Sequence, residues 1–290
     1  MSPPPPADTL AAPLGVPPPG STSRAHSGPH VRGAGGALGL GLSTLYLSIF
    51  VLIPVAAVVD VALGSGWHAF WTSFTNTVAL TALEQTLAIS AVVAAVGAVM
   101  GTVVAWVLVR DQFPGKQILN SVIDLPFALP TIVASLALLG LYGTSSPVGI
   151  DIALTKTIVG VALLFVTLPF AVRSVQPVLL ELDQEVEEAA ASLGAANATT
   201  FRRIVLPALR PAILSGTALS FARCMGEYGS IVLLAGKVQI ASLVIFANVE
   251  SATGSGSSAY QPAAGLSVAL LAIALAVLFG LRRWGTDGGG

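Results

Sequence analysis

Arg223 and Glu227 lie four residues apart in FARCMGEYGS, residues 221–230. On a helix that spacing stacks the two side chains on one face, within reach of an ion pair. The flanking sequence is apolar, and burying either charge alone in a bilayer costs about 2.5–3.5 kcal/mol. Such residues usually face a bundle interior and mark a pathway. The blander alternative is a self-satisfied pair that only fixes packing. Gly226 and Gly229 flank the pair and allow close backbone approach or a local break of the kind that lines transporter cavities. Arg223, Glu227, Tyr228, Gly229 and Ser230 are therefore the candidates for a translocation path or gate. Asp124 is a further candidate. It opens DLPFALPT, where Pro126 and Pro130 each remove a backbone donor and bend a helix. Asp124 either stays hydrated at a bend near the inner interface or helps line a cavity that the bend shapes.

Other chemistry has little to work with. His26 and His30 lie near the N-terminus, His68 lies between apolar runs, and Cys224 is the one cysteine. No catalytic residue and no metal ligand set is expected, and an intramembrane enzyme would need a nucleophile–base pair within the spans. Gly115-Lys116 is followed by Gln117 and lacks the upstream glycine of a phosphate-binding loop. No ATP site is expected in this chain, so energy must come from a separate subunit.

The elements that position these residues are membrane helices. The 290-residue chain is 54% hydrophobic and 9% charged, with a mean hydropathy of +0.84. A soluble domain carries about 25% charged residues, so lipid must be the solvent here. Residues 1–36 are rich in Pro and Gly and have no periodic apolar face; they are expected to be a disordered tail. An uncleaved first span follows within 37–63. Further spans are expected at 86–109, 118–141, 157–177, 212–235 and 262–281, all helical because an unpaired backbone group in lipid costs several kcal/mol. The fold class is an all-α, six-span integral membrane bundle. Pro54 and Pro169 should add kinks, and Gly97 and Gly101 form a GxxxG packing motif.

Charge sets the orientation. With both termini in the cytoplasm, the inner segments hold Arg24, Arg32, Arg110, Lys116, Arg173, Arg202, Arg203, Arg210, Arg282 and Arg283, and the outer segments only Lys156 and Lys237. Trp67, Trp71 and Tyr260 then fall at outer edges, and Trp106 and Trp284 at inner ones. The longest inner loop, 178–210, contains a polar island, EAAASLGAANATTFRRIVLP, at 188–207. Asp183, Glu185, Glu187 and Glu188 suit the start of a helix, and Ala189–Ala191 propagate it. Gly194 breaks it. Asn197 is placed to cap a second short helix that ends before Pro207. The expected product is a helix–turn–helix on the inner membrane face. The Asn197-Ala198-Thr199 sequon would face the cytoplasm and stay unmodified.

The spacing of Glu188-Ala189-Ala190, Gly194, Ile204 and Leu206-Pro207 resembles the EAA loop of ABC importer permeases. FARxxGEYGS further resembles the T-type permeases of the sulfate/thiosulfate branch, whose W-type partners tend to carry Phe-Gly-Ala where this chain has Tyr228-Gly229-Ser230. The resemblance implies an ABC type-1 transmembrane domain over 82–284 in the cell (inner) membrane. It implies that Glu188, Ala189, Ala190, Gly194, Ile204, Leu206 and Pro207 couple to an ATPase. It also implies a second, W-type permease, two ATP-binding subunits that hold ATP and Mg, and an extracytoplasmic sulfate-binding protein. Membrane lipid is an expected partner; nucleic acid is not. The implied mechanism is alternating access, with molybdate or tungstate as the alternative cargo. Two features depart from the pattern: the N-terminal tail, and the Ser/Gly-rich segment 250–260, expected to be a loosely ordered insertion. Glu227 would repel a dianion unless Arg223 neutralises it.

Overall fold

A computed structural model describes residues 34–254 and 256–286. The proline-rich tail, with Arg24, His26, His30 and Arg32, lies outside the described residues, as do the side chains of Arg282 and Trp284. Every regular element among the described residues is helical. The chain divides into two units at Leu52. The first contains α1 (Ala34–Leu47) and a π-turn at Ser48–Leu52, with Leu42, Leu45 and Phe50 exposed.

The second unit opens with α2 (Ile53–Leu63) and the short α3 (Trp67–Thr75). Next come α4 (Thr77–Arg110), α5 (Lys116–Ile123), α6 (Leu125–Ala128), α7 (Thr131–Tyr142) and α8 (Lys156–Glu181). Then follow α9 (Gln184–Ser192), α10 (Asn197–Thr200), a π-turn at Phe201–Val205, α11 (Leu206–Met225), α12 (Ala241–Ala252), a 3₁₀ turn at Ser257–Tyr260 and α13 (Gln261–Thr286). Five runs are long and apolar enough to cross a membrane: Leu38–Leu63, Thr77–Arg110, Lys156–Glu181, Asn197–Met225 and Ser258–Leu281.

The direction of the helices follows from their contacts. A Cβ on Gly97 would lie 3.7 Å from Leu164, and one on Gly101 would lie 2.5 Å from the Ala171 Cβ. The paired positions advance together, so α4 and α8 run parallel. The intervening chain, α5–α7, must therefore return along the bundle from the Arg110 end to the Lys156 end. α11 runs antiparallel to α8: Ser220 Oγ donates to the Thr167 carbonyl, and Gly216 lies against Ser174 and Ala171. Gly101, Ala171 and Gly216 thus form a small-residue node where three backbones approach, which is the packing role expected of a GxxxG motif.

Three expectations on continuity are corrected. The stretch 118–141 is not one helix but α5, α6 and α7. Pro126 and Pro130 remove two donors within five residues, and the carbonyls they free need other partners. The stretch 212–235 is not one helix either. α11 ends at Met225, and 226–240 is a run of turns. Finally, 241–252, placed in an outer segment by sequence, forms α12, so the helix reaches into the expected loosely ordered segment.

Prolines explain both π-turns. Ser48–Leu52 ends two residues before Pro54, and Phe201–Val205 ends two residues before Pro207. Each proline lacks the N–H that would close an ordinary helical turn, and the wider turn absorbs the misfit. As a result Pro207 does not follow the end of a helix: it opens α11, in a helical run that extends from Asn197 to Met225. By contrast, α8 continues through Pro169 and Pro177.

Candidate functional site

The segment 178–210 forms the expected helix and Gly194 turn, with a shift at the second helix besides the one at Pro207. Asp183 caps α9 by accepting from the Glu185 amide. At the other end the Gly194 amide donates to the Ala191 carbonyl at 2.9 Å, and the Ala195 amide to the Ala190 carbonyl at 3.0 Å. This pair of bonds is the Schellman closure, which needs a left-handed residue at Gly194; its φ is +81°. A Cβ there would meet nothing within 4 Å. The shift is at the second helix, where Ala196, not Asn197, is the N-cap and no side chain bonds the cap. Asn197 already lies inside α10.

α9 presents two faces. Glu188 and Ala189 are exposed, and Leu193 at the tip is 89% exposed. Glu187, the neighbour of Glu188, turns inward to an ion pair with Arg110 at 2.5 Å. The Glu-Ala-Ala spacing selected Glu188, while Glu187 counted only as one of the acidic residues at the helix start; its partner Arg110 lies 77 residues away. Ile204, Leu206 and Pro207 lie beyond the turn, in and after the π-turn that leads into α11.

The second group sits where α11 ends. Arg223 Nη2 lies 2.6 Å from Glu227 Oε2, with side-chain exposures of 38% and 2%. The contact is an ion pair and lacks the angle of a hydrogen bond. Glu227 Oε1 accepts from the Ser230 amide at 3.0 Å, and the Glu227 carbonyl accepts from Ser242 Oγ at 2.7 Å. Ser135 Oγ of α7 donates to the Gly229 carbonyl, and the Ala241 amide donates to Thr86 Oγ1 of α4. A Cβ on Gly229 would clash with Thr131 Oγ1. Backbone that leaves a helix needs partners from elsewhere in the protein, and these bonds supply them for the Glu227 and Gly229 carbonyls and the Ser230 and Ala241 amides. Glu227 therefore holds the turn after α11, which the i,i+4 pattern did not reveal. Tyr228 is half-buried and its ring packs against Phe246 of α12, with centroids 4.8 Å apart.

Asp124 is not grouped with Arg223 by any bond. It receives a two-pronged pair from Arg173 of α8: Nε to Oδ1 at 2.9 Å and Nη2 to Oδ2 at 2.5 Å. Arg173 also donates to Asn120 Oδ1, the Asn120 carbonyl and Gln176 Oε1. The Asp124 amide folds back to the Ser121 carbonyl, so the Asn120 carbonyl loses its usual helical donor. Arg173 replaces it, capping α5 and pinning the first break of α5–α7 to α8. All five guanidinium N–H groups are thereby engaged. Arg173 counted at sequence level only as an inner charge.

The fold and chain have clear relatives. Among solved structures, a bacterial ABC transporter involved in import of the acidic polysaccharide alginate superposes with a TM-score of 0.72, covering 88% of this chain and 96% of that one at 16% identity. The MetNI methionine ABC transporter in an inward-facing conformation gives 0.59, covering 73% of this chain and 96% of that one at 19% identity. At those identities the likeness concerns fold alone. In sequence, the sulfate transport system permease protein CysT of Salmonella typhimurium is 39% identical over 86% of this chain and 91% of its own length. The Synechocystis protein of the same name is 41% identical over 84% and 88%. Residues 95–283 match the family described as binding-protein-dependent transport system inner membrane component. With that match and those relatives, this chain belongs to the inner membrane components of binding-protein-dependent transport systems.

Proposed function

We propose that this chain is the T-type permease of an ATP-driven sulfate/thiosulfate importer. The observation that carries the reading is the close relationship, along nearly their whole length, to proteins named as sulfate permeases. The chain works with a second, W-type permease, two ATP-binding subunits that hold ATP and Mg, and an extracytoplasmic binding protein. Both termini lie in the cytoplasm. The return path of α5–α7 supports a sixth crossing made of broken helices, which puts the Arg110 end, the coupling segment and the C-terminal end of α13 on one side.

The coupling step is mechanical. ATP closes the ATPase dimer, whose surface receives the exposed Glu188, Ala189 and Leu193–Gly194 tip of α9, with the half-buried Ala190 beside them. Motion of α9 passes through Ile204, Leu206 and Pro207 into α11. At the far end of α11, Arg223 and the turn through Glu227, Tyr228, Gly229 and Ser230 change their spacing to α7 and α12. Arg223 is too exposed for a charge facing lipid, which supports its place on the wall of the path. Glu227 compensates Arg223 from within the protein, so the dianion meets a cationic edge without meeting the carboxylate. Asp124 contributes by holding the α5–α6 break against Arg173. The test is uptake by the reconstituted four-component transporter with labelled sulfate and labelled molybdate. Sulfate-selective, ATP-dependent uptake supports the reading, and selective molybdate uptake overturns the cargo.

A further inference from the structure

We propose that Arg110 is a positioning residue that ties α4 to the coupling segment, so that helix and lever move as one body through the transport cycle. The inference rests on the reading of α9 as the coupling helix and goes beyond it by naming which part of the bundle the lever carries.

Arg110 is the last residue of α4. An arginine at the cytoplasmic end of a membrane helix ordinarily extends to water or lipid phosphate. Arg110 turns into the protein instead, and its side chain is only 10% exposed. Its Nη2 donates to Glu187 Oε1 at 2.5 Å and to the Leu182 carbonyl at 3.2 Å. Leu182 is the C-cap of α8, so this carbonyl is one of those left without a helical donor. The guanidinium carbon lies 5.8 Å from the centre of the Trp106 ring, one turn back along α4. Trp106 in turn meets Phe201 edge to face at 5.4 Å. Phe201 begins the π-turn that leads into α11.

One guanidinium thus touches the end of α8 and the first turn of α9, while its own stacked neighbour reaches the π-turn that leads into α11. These are the entry and exit of the coupling segment. A push on the exposed face of α9 is borne on its opposite face by Glu187, and Glu187 rests on α4. Because α4 packs parallel to α8 at the Gly101–Ala171 node, the tie recruits both helices. Without it, α9 would hang from its flanking turns, and motion of the lever would be taken up in those turns.

The experiment uses the assembled transporter in liposomes, with sulfate import and ATP hydrolysis measured together. Arg110→Gln is expected to lower sulfate imported per ATP by about tenfold, within the range of known coupling effects. The ATP-binding subunits should still copurify, because the exposed face of α9 is untouched. In a Cys224→Ser background, Arg110→Cys with Glu187→Cys should be equally uncoupled. Joining the two cysteines with a short bifunctional thiol reagent should then restore import per ATP. The proposal is overturned when Arg110→Gln imports normally per ATP, or when the cross-linked pair stays uncoupled. If Arg110→Gln does not assemble, the cross-link decides. Failure of the underlying coupling reading looks different: Gly194→Leu and Glu188→Arg would then import normally and bind the ATP-binding subunits normally.

Discussion

Replacing Gly194 separates two costs that a single bulky substitution would mix. Gly194 holds φ at +81° to close α9. An L-residue in that region costs about 1–2 kcal/mol, and asparagine costs less because it tolerates the left-handed region better. An energy of that size changes the population of the closed turn by about 5- to 30-fold. A Cβ at 194 meets open space within 4 Å, so alanine adds the backbone penalty and no clash. Alanine and leucine carry the same backbone penalty here, so a difference between them reads what the longer side chain meets beyond Cβ, and matching loss of ATPase copurification assigns it to a docked surface. ATP-driven uptake should fall in the order glycine, asparagine, alanine, leucine, with a large final step and a matching loss of ATPase copurification. Gly194→Leu equal to Gly194→Ala in both assays would refute a docked tip. Gly194→Asn no better than Gly194→Ala would refute the strain argument.

Arg223→Ala should impair both yield and uptake, because it strands a buried Glu227 carboxylate at a penalty of about 3–5 kcal/mol; Arg223→Ala with Glu227→Gln should regain yield but not uptake, and Cys224→Ala should match the parent in both. Uptake by the double variant at the parent's level would leave Arg223 with a packing role alone. Gly101→Val should prevent folding, since its Cβ would lie 2.5 Å from the Ala171 Cβ and 3.1 Å from backbone, whereas Gly97→Ala should be tolerated at 3.7 Å from a flexible leucine methyl. Thermal melting in detergent reads the difference, and equal melting temperatures would argue against the node.

The helix and turn at 184–194 were the most legible local structure, and their details show why. Gly194 and the alanines before it act locally: helix propensity and left-handed closure depend on residues within one turn. The prolines at 126 and 130 marked a bend correctly, yet the structure makes it a break. Whether a carbonyl freed by proline finds a donor depends on a residue from another helix. The same holds just before these prolines: the Asn120 carbonyl, left when the Asp124 amide folds back to Ser121, finds its donor in Arg173, 53 residues away. The span expected at 212–235 failed for a related reason. Its hydropathy continues through 231–235, but Ile231, Leu234 and Ala235 are buried by turns that pack them against α8, with no helix there to carry them into lipid.

By itself, the sequence determined the solvent, the long helices, the polar island and the family resemblance, since each is written in composition or in spacing within one or two turns. Tertiary structure decided that α4 and α8 run parallel, that α5–α7 must return along the bundle, and which of two adjacent glutamates faces inward. Glu187 and Glu188 have the same charge and the same helix preference. Only Arg110, 77 residues earlier in the chain, distinguishes them, and a contact over that distance leaves no periodic or local signal to read.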